Sequence, residues 1–147
     1  MQLNQGIVLS KIRYSETSLI LNVFTLEEGT KPYMFPGGSR KNKRGNALQP
    51  FTLISFKNFG KGELQKISEI ETIEGGKNRI SDPIKNCVTL FLSEILITTI
   101  RHQERDDALY DFLKNSIFTI RTHSILHLKT LLLWIKPMDF SDLSYTC

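Results

Sequence analysis

The chain has 147 residues, 40% of them hydrophobic and 23% charged, a globular composition at a length that suits one ordinary domain or two small ones. Its two cysteines, Cys87 and Cys147, are too far apart for a disulfide framework or a zinc site, and no uncharged apolar run reaches the roughly 18 residues of a membrane span. The net charge of +4 is unevenly placed: residues 1–80 carry twelve Lys and Arg against seven Asp and Glu, hence +5, and the remainder carries seven against eight, hence −1, so any polyanion contact belongs to the front half.

In chain order, Met1-Gln2-Leu3-Asn4-Gln5-Gly6 lacks the cationic start and apolar run of a secretion signal, and a cytoplasmic protein is expected. Residues 5–14 predict a first strand that ends in alternation, with Ser10, Ile12 and Tyr14 on one side and Lys11 and Arg13 on the other. A polar turn, Ser15-Glu16-Thr17, leads to a second strand over 18–26, closed by Glu27-Glu28-Gly29. Residues 30–36 form a third, shorter run whose prolines fit only an edge or a strand end.

Next comes Gly37-Gly38-Ser39-Arg40-Lys41-Asn42-Lys43-Arg44-Gly45, four cations in five positions bracketed by glycines. Such close cations repel one another unless an anion lies between them, and glycines let the backbone turn and approach another surface. A solvated loop that only aids solubility is the plain alternative. Residues 50–59 make a fourth strand, apolar on both faces. Residues 63–74, with apolar positions 64, 67, 70 and 73, read as a fifth strand with a bulge, since the glycine-flanked turns suit a hairpin better than a helix. Five strands in about 75 residues, without a helix between them to cover a flat sheet, favour closure into a barrel, and among small five-stranded barrels the OB-fold is the expected form. Tyr33, Phe56 and Phe59 are candidate stacking surfaces for bases, set against the need of a small barrel for large side chains inside.

Gly75-Gly76-Lys77-Asn78 reads as the way out of the barrel. Asp82-Pro83 starts a helix, with apolar positions 84, 87, 88, 91, 92, 95 and 96 to about Arg101 and Cys87 as a buried thiol. Asp106 or Asp107 caps a second helix with apolar positions 109, 112, 113, 117 and 120, and a third runs from about Ser124 to Ile135. The third is apolar nearly all round and needs cover on more than one side, so the helical part reads as incomplete, with further chain or a partner to supply the cover. The predicted fold is therefore a five-stranded OB-fold barrel over 1–78 followed by a small, truncated α-helical domain over 79–147.

No catalytic constellation is present. His123 and His127 share a helical face but lack a Glu partner and a third ligand, the glycine-rich stretch lacks P-loop spacing, and Asp106-Asp107 sits at a helix start, where it favours the macrodipole. A non-enzyme without cofactor or metal is expected.

The stretch Gly6-Ile7-Val8-Leu9-Ser10-Lys11-Ile12-Arg13-Tyr14-Ser15-Glu16-Thr17-Ser18-Leu19-Ile20 resembles the start of the bacterial recombination and DNA-repair mediator family RecO. The likeness continues through Phe24-Thr25, Glu28-Gly29, the loop 40–45, Leu48-Gln49-Pro50-Phe51-Thr52, Leu90-Phe91-Leu92-Ser93-Glu94-Ile95-Leu96 and Leu109-Tyr110-Asp111-Phe112-Leu113, covering about residues 5–132. It implies an N-terminal OB-fold, a helical domain longer than the one here, binding of single- and double-stranded DNA, ATP-independent annealing and work with RecR. It also implies contact with the single-strand-binding protein and help in loading RecA, in the cytoplasm at the nucleoid. The DNA-binding residues expected on this basis are Arg13, Tyr33, Arg40, Lys41, Lys43, Arg44, Lys57 and Lys61. An RNA-binding OB module and an adaptor for acidic peptides are the other classes that the residues allow.

Overall fold

The computed structural model describes residues 2–40, 45, 48–73, 83–100 and 104–122. Its elements are β1 (Gln2–Arg13), β2 (Leu19–Thr25), β3 (Gly29–Phe35), β4 (Thr52–Phe59), β5 (Gln65–Thr72), α1 (Pro83–Ile100) and α2 (Asp107–Thr122). The five strands close into a barrel in the order β1-β2-β3-β5-β4, the OB-fold arrangement that the sequence predicts. The predicted third helix lies outside the described residues.

β1 closes the barrel because its two ends serve different neighbours. Gln2 to Val8 pair with β4, and Gly6 to Arg13 pair with β2. β3 is bonded to β2 along its length but meets β5 only at Tyr33 and Met34, so Pro32 sits where the strand has a neighbour on one side. On β5, Lys57 pairs with Glu69 and Asn58 with Ile67, which leaves Ser68 as an extra residue. This bulge converts a spacing of three into one face: Ile67 and Ile70 both enter the barrel. The helix-like period of 63–74 is thus a strand period interrupted once.

Two apolar clusters share the strands. Val8, Leu21, Val23, Tyr33, Phe35, Ile54 and Phe56 fill the barrel with Leu19, Leu48, Ile67 and Ile70. Ile7, Leu9, Phe24, Phe51 and Leu53 point the other way and are covered by Ile100, Leu109, Tyr110, Leu113 and Ile117 of the helices. This is why Ile7-Val8-Leu9 is an unbroken apolar run: both faces of β1 are buried there. Phe51, the one non-glycine described at positive φ, 63°, donates its N–H to Val8 O and sits in the second cluster, which holds it in a conformation that costs of order 1–3 kcal/mol.

Helix ends are tied to the barrel and to their own side chains. Asp106 Oδ1 accepts the N–H of Leu109 at 2.9 Å, an N-cap worth about 1 kcal/mol, while Asp107 pairs instead with Arg105. Thr30 Oγ1 on β3 donates to the Ile100 carbonyl at 2.7 Å, satisfying one of the acceptors that a helix C-terminus leaves open. The expectation for Cys87 is corrected: its thiol is exposed, as are Ile84, Leu90 and Phe91. Ile95 and Ile100 near the end of α1 pack against the barrel. No helix of the described residues is long and apolar enough to cross a membrane.

Candidate nucleic-acid interface

The end of the barrel where β1 passes into β2 collects the site. Arg13 closes β1, and its Nε–H and Nη2 group donate to the carbonyls of Ser15 and Glu16. Tyr14 and Ser15 both donate their N–H groups to Ser18 O, so the β1–β2 turn is a small fixed platform. The chain leaving β3 is bonded to this platform, because Ser39 donates its N–H to Thr17 O at 3.0 Å and Arg40 donates its own to Gly37 O. Arg40 therefore leaves the barrel beside the turn that Arg13 braces. Lys41, Lys43 and Arg44 lie outside the described residues.

The glycines flanking the basic loop act by closeness. A Cβ on Gly45 would fall against the Gly38 carbonyl oxygen and, at 2.7 Å, against Leu19 Cδ1. One on Gly38 would strike the Phe35 ring. The two limbs of the loop thus touch at its base, and Leu48 N–H donates to Gly45 O as the chain returns. Gly45→Ala is expected to lower stability by about 1–3 kcal/mol, as overpacking does, and to weaken DNA binding by splaying the loop; thermal melts and fluorescence anisotropy check this. Unchanged melting would mean that the limbs do not meet.

A second bulge sets which side chains face this end. Val8 pairs with Val23 and Ser10 with Asn22, so Leu9 is the extra residue. Beyond it Lys11 pairs with Leu21 and Arg13 with Leu19, both lining the barrel, and residues directly paired across a ladder share a face. Ile12 and Tyr14 are left exposed on the outside. Lys11, Arg13, Leu19 and Ser39 line an open cleft of about 290 Å³, and partial burial holds the Lys11 ammonium below the ordinary lysine range. Sequence reasoning passed over Lys11 and Ser39. Alternation separates Lys11 from Ile12, but only the bulge decides which of them stands on the face of Leu19 and Leu21, where Lys11 and Arg13 stay exposed at the barrel's open end.

The other expected residues are dispersed. Tyr33 is corrected as a stacking surface: it is 1% exposed, inside the barrel, its ring edge-on to Phe56 at 5.0 Å. The small interior needs large side chains, and Phe56 is buried for the same reason. Burial, with the Glu28 charge adding, pushes the Tyr33 phenol up to about 12. Phe59 remains exposed at the end of β4, and Tyr14 at 61% is a more open aromatic than any of the three expected. Lys57 lies on the outer face of β4, where Glu69 of β5 takes its ammonium at 2.8 Å and raises its pKa. Lys61 is exposed in the β4–β5 loop between Gly60 and Gly62, both at positive φ. Among the described residues no group of three or more His, Cys, Asp or Glu could hold a metal ion; His123 and His127 fall outside them.

The family model described as recombination protein O, N terminal, matches residues 1–75. The DNA repair protein RecO of Flavobacterium psychrophilum is 30% identical over 151 residues, 97% of this chain and 63% of the relative. That of Flavobacterium johnsoniae is 29% identical, covering 92% and 61%, and that of Porphyromonas gingivalis 34%, covering 78% and 49%. The chain spans from about half to just under two-thirds of the length of these relatives. With a closed five-stranded barrel in the matched residues and helices behind it, the chain belongs to the recombination protein O family.

Proposed function

We infer that this chain is the DNA-binding front of a recombination and repair mediator, which holds single- and double-stranded DNA against the basic loop and the adjoining rim of the barrel. Held strands pair without ATP, since cations beside one strand offset the phosphate repulsion that keeps its complement away. In this reading residues 1–78 form the nucleic-acid-binding unit and 79–147 the start of the helical unit. RecR and the single-strand-binding protein are its protein partners, RecA is loaded as a consequence, and the work is binding in the cytoplasm, at the nucleoid, rather than catalysis.

The observation that carries this reading is the pinched base of the loop, where Gly38 and Gly45 meet and Ser39 is bonded to Thr17. It brings Arg40 out of the barrel beside the turn that Arg13 braces, and Lys41, Lys43 and Arg44 follow it in sequence. Family membership and the excess of positive charge in residues 1–80 support it further.

The test is the salt dependence of single-strand binding. Four cations on phosphates contribute about −3 to the log–log slope. Arg40→Ala, Lys41→Ala, Lys43→Ala and Arg44→Ala together are expected to remove that contribution, with anisotropy of a labelled oligonucleotide as the readout. An unchanged slope would place the strand elsewhere, and equal competition by a matched RNA would favour a general single-strand binder.

A further inference from the structure

The Leu9 bulge turns two cations toward a recess that loop charge alone does not require. Lys11 and Arg13 share a face with Leu21 and Leu19, and the cleft of about 290 Å³ is completed by Ser39 on the loop side. At about 30 Å³ of liquid volume per water, it has room for one phosphate and its sugar. Its walls are two-sided in chemistry, cationic at Lys11 and Arg13 and apolar at Leu19.

Both cations stand exposed at the edge of the cleft. Partial burial disfavours the charged form of Lys11, and a phosphate beside it reverses that preference. Arg13 is held by the carbonyls of Ser15 and Glu16 through Nε–H and the Nη2 group; a guanidinium has five N–H donors, and a fixed fork loses less freedom on binding.

We propose that this cleft seats one sugar–phosphate unit of a bound single strand, its phosphate on Lys11 and Arg13 and its sugar against Leu19. The proposal rests on the DNA-binding reading above and adds a fixed point to it. Contacts made to phosphates by charge alone let a strand slide, whereas a shaped seat stops it at one nucleotide.

Two measurements on the full chain separate the two ideas. In salt-dependent anisotropy with an oligothymidylate, Lys11→Gln is expected to reduce the slope by about 0.7 and Lys11→Gln with Arg13→Gln by about 1.4, while Lys11→Arg keeps the slope of the unaltered chain. In the second, thymidine 3′,5′-bisphosphate is titrated and followed by NMR; saturable shifts are expected at the amides of Leu19 and Ser39, lost in Lys11→Gln, with the Leu53 and Ile54 amides reporting an intact barrel. Binding of the oligonucleotide with an unchanged slope in the double variant overturns the seat and leaves the loop reading standing. If the oligonucleotide does not bind at all, the loop reading fails and the bisphosphate decides the seat alone: shifts sensitive to Lys11→Gln support it, and their absence overturns it.

Discussion

Leu113→Ala is expected to lower the stability of the whole chain by about 3 kcal/mol, within the 2–5 kcal/mol range for buried leucines. Leu113 is fully buried and stands in the cluster that joins α2 to Ile7, Leu9, Phe24, Phe51 and Leu53 of the barrel. Beside it Tyr110 meets Phe24 with ring centroids 6.0 Å apart, so a cavity at 113 is walled by rings and branched side chains that relax only partly. With total stabilities of about 5–15 kcal/mol, such a loss lowers the urea midpoint markedly. Asp111→Ala, on the exposed side of the same helix, is the control and should stay within about 0.5 kcal/mol. Equal midpoints for the two variants would show that α2 does not rest on the barrel.

The second large effect is alkaline. Tyr33 inside the barrel and Tyr110 on the buried side of α2 both have phenols pushed from 10.0 up to about 12, by burial first and then by the charges of Glu28 and Asp111 respectively. Below about pH 10 both phenols are protonated, folded or unfolded, and this stabilisation is fully present. As the pH rises from about 10 to about 12 the unfolded chain loses its phenolic protons first, so stability falls across that window. At 1.36 kcal/mol per pKa unit the loss is about 2–3 kcal/mol for each residue. Urea midpoints at about pH 9 and about pH 11.5 should therefore differ widely for the unaltered chain. The difference should shrink in Tyr33→Phe with Tyr110→Phe, and a double variant that loses as much stability as the unaltered chain would refute the assignment.

The barrel was legible because its strands carry their turns with them. Gly29, Gly60 and Gly62 stand at positive φ where the sequence breaks its β-runs, and the mixed apolar faces of residues 50–59 match a strand buried on both sides. The fifth strand could be read once its period of three was taken as two runs of two with one residue inserted, at Ser68. The two described helices were legible in position, with Asp106 taking the cap that the sequence left open between Asp106 and Asp107, but not in what they cover. Period alone shows that α1 has an apolar side, and it does not show that Ile84, Leu90 and Phe91 stay open.

The site was legible as charge and not as geometry. Composition and spacing mark residues 40–44, yet the touching limbs at Gly38 and Gly45 depend on Phe35 and Leu19, which no local pattern connects to them. Tyr33 was misread because an aromatic next to cations in sequence looks like a platform for bases, while its strand position turns it inward. Lys57 looks like part of a basic surface until its ladder partner Glu69 is known.

The extra residue at Leu9 leaves this segment one residue longer than its ladder needs. Losing Leu9 would put Val8 and Ser10 in regular alternation and keep Lys11 opposite Leu21 and Arg13 opposite Leu19. Losing a second residue would exchange the two faces of the strand's last third and set Ile12 and Tyr14 opposite those leucines instead. The segment is therefore expected to tolerate shortening by one residue and to reject shortening by two, a rule on length stricter than any placed on the side chains themselves.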